Sequence, residues 1–465
     1  MKTTAFTAAI LAGSSYAGVI HRDTDCPAQS ATEFAFTYGE PLLSYARAFN
    51  RGTSVKQLST NTALATPEER SVVSPNVDTL YMSQMYDISR ESLMITIPEV
   101  ESDRYYAVSL YTPEGDNYIN LGSLTQTISG NYLLTPAVAS DTAGKMVIGT
   151  DSKYRGTIYS PRTIGYLLIR ILLKNQDSDV EVVNEIQRKF STTAIARCGK
   201  PIGPELNDDL FANASSSQAE YLLTLTARFN ETVPPTRDEP LLPVNTTTQL
   251  SQAGIGDNGT YEQPSCVDLG GAYTAANTSI SDYMRSLQFI ESLGNGWAMP
   301  RPNLIGEYGD NYDARAAVAR IGYFALTTDQ ALYPIYPQGF SLGSNESYTL
   351  RFAGKPPVTE IGFWSITMYD TEGRLVPNSI ARYALGDRSN LTYPDGTLVY
   401  DANTDAPFDV LVQASQPPAN WTSNWLPSPS TPGAFNMILR FYAPSEALSN
   451  GLYTYPQVSK GAVLK

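Results

Sequence analysis

Residues 363–387, FWSITMYDTEGRLVPNSIARYALGD, alternate apolar and small polar side chains as far as Tyr369, turn at Asp370-Thr371-Glu372-Gly373, and then resume an extended pattern. That order reads as a hairpin, because alternation puts every second side chain on one face and the Asp-Thr-Glu-Gly run supplies turn chemistry. Around it, short strand-like runs recur at 347–352, 362–369, 397–400, 408–412 and 436–442, with Asp-Gly and Pro-Gly turns between them. Such spacing predicts a β-sandwich over residues 331–455. No fixed-period repeat of the solenoid or propeller kind is present.

Upstream the pattern is mixed. Residues 33–50 carry apolar side chains at helical spacing with Pro41 as a kink, whereas 80–86, 92–97, 105–111 and 131–135 are rich in Tyr, Val, Ile and Leu and read as strands. An apolar run at 164–173 precedes a helix over 179–190 with acidic residues in its first turn, so a first module spans 60–195. Residues 200–275 are rich in Pro, Gly, Asn, Ser and Thr and read as a linker or irregular insert. Helices over 279–293 and 311–326 bridge the two modules within 279–330. The fold class expected is therefore α+β.

Two motifs, in this order, tie the halves together. Residues 74–81, SPNVDTLY, resemble the signature of domain of unknown function 1254, and the hairpin resembles the core of domain of unknown function 1214. Together they form a two-module family. Tyr308, Gly309 and Arg315 are similar to its junction motif, and Asn424-Trp425-Leu426-Pro427 with Arg440 to its closing motif. The resemblance implies a mixed α/β N-terminal module joined by helices to a jelly-roll-like C-terminal module. It implies no reaction.

Composition narrows the setting. Lys2, the small and apolar run 3–16 and Ser15-Tyr16-Ala17 read as a signal peptide over residues 1–17, and no later segment is long and apolar enough to be a membrane anchor. Sequons at Asn213, Asn230, Asn245, Asn258, Asn277, Asn345, Asn390 and Asn420 read as glycan acceptors of a secreted protein. A formal charge of −14 repels phosphate backbones, which excludes nucleic acid as a partner. Three cysteines, Cys26, Cys198 and Cys266, fit one disulfide and one free thiol in an oxidising compartment. Cys198 with Cys266 is the pairing expected, because it closes the loose middle segment; Cys26 with Cys198 is the competitor.

The chain has one histidine, His21, close to the expected mature N-terminus. Triads, Cys-His dyads and His-ligated metals are thereby set aside, leaving carboxylate, Lys or Tyr chemistry, an oxygen-ligated calcium to which nothing specific points, or no catalysis. The G-x-S-x-G match at 339–343 and the G-x-G-x-x-G match at 254–259 lack the strand-turn-helix context their functions need.

On an extended segment Asn76 and Asp78 share one face while Val77, Thr79 and Tyr81 share the other. A carboxylate beside an amide can hold a water, a sugar hydroxyl or calcium, and the competing role is to cap a turn. The catalytic set expected is Asp78 as base, Glu360 as facing acid, and Asn76, Tyr81 and Arg315 as orienting groups. Tyr308, Arg382, Asn378 and Trp364 are the ligand-binding candidates, with Arg382 either clamping an anionic group or pairing with Asp387 or Asp395. The functions this supports are a histidine-independent hydrolase or lyase on a carbohydrate or small polar metabolite, a non-catalytic binder of such ligands, or an isomerase of a secondary metabolite.

Overall fold

The computed structural model describes residues 26–69 and 73–465, so the leader and His21 lie outside the described residues. Ten strands build the N-terminal module: β1 (Ser59–Thr60), β2 (Thr79–Asp87), β3 (Glu91–Ile97), β4 (Tyr106–Tyr111), β5 (Asn117–Gly122), β6 (Gly130–Pro136), β7 (Lys145–Asp151), β8 (Tyr154–Ser160), β9 (Ile164–Leu172) and β10 (Ser191–Ala196). They form two five-stranded sheets, in the orders β1-β2-β9-β4-β5 and β10-β3-β6-β8-β7. All pairs are antiparallel except β6 with β8.

Period-two alternation decides what each face of the first sheet meets. Along β9, Leu167, Ile169 and Ile171 enter a core shared with Ile95, Ile97, Leu134 and Ile158 of the second sheet. The intervening Ile164, Tyr166 and Leu172 enter a different core, with Leu42 and Tyr45, Leu225 and Phe229, and Phe363 and Tyr442 of the C-terminal module. Arg170 falls on that second face, so the lone cation of an apolar run is aimed at the module interface.

The helices are α1 (Pro27–Asn50), α2 (Val180–Gln187), α3 (Asp208–Phe211), α4 (Gln218–Asn230), α5 (Val244–Gln252), α6 (Leu269–Arg285) and α7 (Tyr312–Gly322), with a short α8 (Glu446–Ser449) near the end. The expectation of an irregular linker over 200–275 is corrected: the segment holds α3, α4, α5 and the start of α6, of which α4, α5 and α6 pack on α1 through Ala31, Ala35, Phe36, Leu222, Leu250 and Ala276. Three of the four starts carry a side-chain cap, and Pro243 precedes α5 without one. Ser217 accepts from the Glu220 N–H, Asp268 from Gly271 and Asn207 from Asp209. The helix expected over 279–293 ends at Arg285, and a hairpin of β11 (Ile290–Gly294) and β12 (Trp297–Pro300) follows. Pro41 lies inside α1, which continues through it.

The disulfide expectation is also corrected. Cys26, the residue before α1, is bonded to Cys266, just before α6, while Cys198 is free and exposed. The first two meet because α1 and α6 pack side by side, a proximity that sequence spacing does not encode.

The C-terminal module holds β13 (Ala331–Leu332), β14 (Phe340–Leu342), β15 (Glu346–Phe352), β16 (Val358–Tyr369), β17 (Ala384–Gly386), β18 (Phe408–Gln413), β19 (Trp425–Pro427), β20 (Gly433–Pro444) and β21 (Gln457–Ala462). One sheet runs β13-β20-β16-β17 with β14 also on β20, the other β19-β18-β15-β21. Residues 397–400, expected as a strand, contribute only an isolated bridge between Thr392 and Leu398. Trp364, Ile366 and Met368 of β16 and Leu439 and Phe441 of β20 fill a core with Phe352, Phe408 and Val410 of the second sheet. Their neighbours Phe363, Ser365, Thr367, Tyr369, Arg440 and Tyr442 are buried as well, on the strand faces opposite that core. Within the described residues, no helix is long and apolar enough to cross a membrane.

Candidate functional site

The 74–81 motif sits where the modules meet, and its polar groups are spent on holding them together. The Asn76 side-chain oxygen accepts the Asp78 and Thr79 N–H groups, a local turn, and its amide donates to the Tyr442 hydroxyl at 2.8 Å. Asp78 lies in that turn, just before β2, so the two residues are not exposed together on a strand face. One Asp78 oxygen accepts from the Ser365 hydroxyl at 2.6 Å and the other pairs with Arg388. Arg388 also pairs with Asp387 at 2.9 Å, and Asp387 accepts the Trp364 N–H. Burial pushes the Asp387 carboxyl up, with Arg388 pulling the other way. The hairpin turn adds two ties: Gly373, in the left-handed region at φ 74°, presents its carbonyl to the Ser74 N–H, and Tyr369 donates to the Pro75 carbonyl at 2.6 Å.

The remaining predicted residues separate. Glu360 is exposed near the start of β16, and neither side-chain oxygen of Asp78 is bonded to it. Tyr81 is half-exposed, its ring 5.8 Å from the Arg170 guanidinium. Trp364 is fully buried and donates to the Tyr400 hydroxyl. Asn378 folds its own loop, donating to the Val376 and Arg382 carbonyls and accepting the Arg382 N–H. Arg382 donates to the Thr422 and Trp425 carbonyls at 2.6 and 2.9 Å, so it pairs with neither Asp387 nor Asp395. Of the sequon asparagines, Asn213, Asn245, Asn258, Asn345, Asn390 and Asn420 are exposed and Asn230 and Asn277 half-buried. Asn277 accepts from Arg320 at 2.6 Å and donates to the Tyr273 carbonyl.

Tyr308 and Arg315 do come together, at the base of a cavity. Arg315 is buried, 3.6 Å from Asp116, and its guanidinium lies 4.8 and 4.7 Å from the ring centres of Tyr38 and Tyr312. Asp116 also accepts the Tyr308 N–H, and its carboxyl is pushed up by burial against the pull of Arg315. Beside it Arg162 pairs with Glu114 at 2.6 Å. This charged layer supports Tyr312, whose hydroxyl is bonded to Thr246 at 2.8 Å and whose ring meets Phe34 edge-on at 5.4 Å.

Above Tyr312 the cavity, of about 780 Å³, opens between α1, α5, α6 and α7. Glu33, Asp310 and Asp313 line it with Asn245, Gln249 and Asn311. No Lys or Arg forms an ion pair with those three carboxylates among the described residues; Arg320, the nearby cation of α7, pairs with Glu40. Burial alone pushes the Asp313 carboxyl up. Aromatic floor, amide walls and uncommitted carboxylates can stack a ring, bond hydroxyls and exchange a proton. Sequence reasoning reached this site through Tyr308 and Arg315 and did not name Tyr312, which stands between them, or Asp313 and Glu33. No group of His, Cys, Asp and Glu suited to a metal occurs among the described residues.

A solved structure shares this architecture. The crystal structure of the VPA0106 protein from Vibrio parahaemolyticus superposes with a TM-score of 0.65 over 94% of this chain and 99% of that one, at 18% identity. An uncharacterised protein from Burkholderia cenocepacia aligns at a TM-score of 0.43 and 10% identity over 92% of this chain and 88% of that one. No curated protein matches the chain. The model for protein of unknown function DUF1254 matches residues 55–194, and that for protein of unknown function DUF1214 matches residues 330–446. With both modules present in that order, the chain belongs to the two-module family of domains of unknown function 1254 and 1214.

Proposed function

We propose that the protein takes a small polar ligand of carbohydrate type into the cavity between α1, α5, α6 and α7. The observation that carries this reading is the set of unpaired carboxylates above the Tyr312 ring, in a space of about 780 Å³. Ligand sites typically have roughly 300–1,000 Å³. Hydrolysis is a second reading, favoured by Asp313: burial shifts its carboxyl upward, the direction that suits a proton donor, and Glu33 supplies a second carboxyl on the same cavity wall to activate water. Asp78 has no part in either reading, because its oxygens are committed to Ser365 and Arg388.

The setting fits a secreted glycoprotein. A disulfide persists in oxidising compartments, and six exposed sequon asparagines, one of them Asn245 on the cavity wall, await glycan. The two-sheet C-terminal module is read as jelly-roll-like, a supporting platform with its ligand site outside it.

Thermal unfolding of the purified glycoprotein against a panel of oligosaccharides and polyols tests the reading. Saturation at about a hundredfold over Kd adds ~2.7 kcal/mol. The expected result is a shift that Tyr312→Ala abolishes and Asp78→Asn keeps. Product release from the shifting ligand, lost in Asp313→Asn, would establish hydrolysis; a shift in every variant alike would sink the assignment.

A further inference from the structure

Five arginines of the described residues are buried: Arg104, Arg162, Arg170, Arg315 and Arg440. Three of them pair with carboxylates, Arg104 with Asp179 and Glu101, Arg162 with Glu114 and Arg315 with Asp116. Arg440 donates to Thr367 and to the Ser74 carbonyl and feels the charge of Asp78. Arg170 is different. Its contacts are the hydroxyls of Ser109 and Tyr111, at 3.3–3.4 Å, and the Phe324 carbonyl at 3.5 Å, all long for hydrogen bonds of a charged group.

The groups around Arg170 do not supply the missing charge. The strongest electrostatic influences on it are four phenols, Tyr111, Tyr81, Tyr333 and Tyr442, and burial pushes the Tyr111, Tyr333 and Tyr442 hydroxyls up, so these three stay neutral. Tyr442 accepts from Asn76 and Tyr333, and Tyr111 accepts from Arg170 and shares a hydrogen bond with the Ser109 hydroxyl. Tyr105 is fully buried, its hydroxyl has no partner among the described residues, and Arg170 is the charge acting on it most strongly. An unmade hydrogen bond and an unpaired buried cation are each costly, and here they adjoin. The wider interface repeats the imbalance: Arg170, Arg388 and Arg440 face Asp78 and Asp387. The backbone is also under strain, since Phe324, whose carbonyl reaches Arg170, has φ 63°.

We propose that a small anion, either a free halide-sized ion or the carboxylate head of an organic acid, binds between the Arg170 guanidinium and the phenols of Tyr105, Tyr111 and Tyr442, as a second site independent of the helical cavity. Half-exposed Tyr81 and Tyr333 mark its access. Because the donors come from β9, β4 and the residue before β4 on one side and from β20 on the other, the anion joins the modules.

The test is thermal unfolding of the full-length protein in sodium bromide or sodium acetate titrated into sodium gluconate at constant ionic strength, with bromide located by anomalous scattering in crystals. The expected result is a saturable rise in the unfolding midpoint, bromide within hydrogen-bond reach of Arg170, and a roughly tenfold weaker apparent affinity in Tyr105→Phe. A rise in both salts identifies a free-anion site, and a rise in acetate alone identifies a carboxylate group. Arg170→Met should lose the response. Tyr105→Phe removes a hydroxyl with no protein partner, so it keeps the test valid should the Arg170 variant fail to fold. A Tyr105→Phe protein with the wild-type response in every salt, or a midpoint in bromide and acetate that tracks gluconate, overturns the proposal.

Discussion

Two motifs of this chain meet their surroundings in opposite ways. In residues 74–81 both Asn76 and Asp78 have all their side-chain polar atoms bonded within the protein. In residues 308–315 Arg315 is held below a tyrosine, while Asp310 and Asp313 face an open cavity without ion-pair partners among the described residues. A saturated polar motif serves architecture, because any ligand would have to break bonds already made. An unspent one has capacity for a ligand.

The contrast breaks most directly at Asp78. Asp78→Asn takes from Arg388 one of its two carboxylate partners, leaving it Asp387 alone, and should cost about 3–5 kcal/mol in urea unfolding. An effect below about 1 kcal/mol would mean that the interface tolerates the loss and that the motif is kept for another purpose. Replacing Cys26 and Cys266 by Ser should cost about 2–5 kcal/mol and loosen α1 against α6. Hydrogen exchange should then rise in the helices around the cavity and stay low in β16 and β20, separating the two regions. Arg382→Ala gives up donation to two carbonyls and should cost about 1–3 kcal/mol with no change in ligand response. Asp313→Asn should have the smallest effect on stability, within about 0.5 kcal/mol at neutral pH, while acting on ligand binding. Its sign is defined. Because burial raises the Asp313 carboxyl in the folded state, wild-type stability falls as pH rises from the ordinary value of 3.8 through the folded one, and the Asn variant lacks that fall.

The strands were legible because their signal is local. Alternation around 80–86, 92–97 and 363–369 recovers β2, β3 and β16 closely, since the sheet faces there meet different surroundings. The helical layer was not. In 200–275 the helices are short and separated by Pro, Gly and Asn, so α4 presents its apolar face over only Gln218–Asn230 and composition hides it. Partnerships were illegible for a different reason. Arg388 stands one residue past the quoted hairpin, and nothing local marks it as the partner of Asp78, which is 310 positions away. Arg170 could have been noticed as the one charge in an apolar strand, but its lack of a carboxylate is a fact of packing. The junction motif was legible as a motif, and the cavity above Tyr312 needed four helices to be placed before it existed.

The Cys26–Cys266 bond has a consequence for the chain as a strand of polymer. It closes a covalent ring of which the whole DUF1254 module is part, with a sequence separation of 240 between its ends. A protease that cuts any surface loop between those cysteines opens the ring without dividing the molecule. The nicked protein should therefore migrate intact on a non-reducing gel and fall into two pieces only when a reductant is added. In a compartment rich in proteases, that bond lets the cavity layer outlast a first cut.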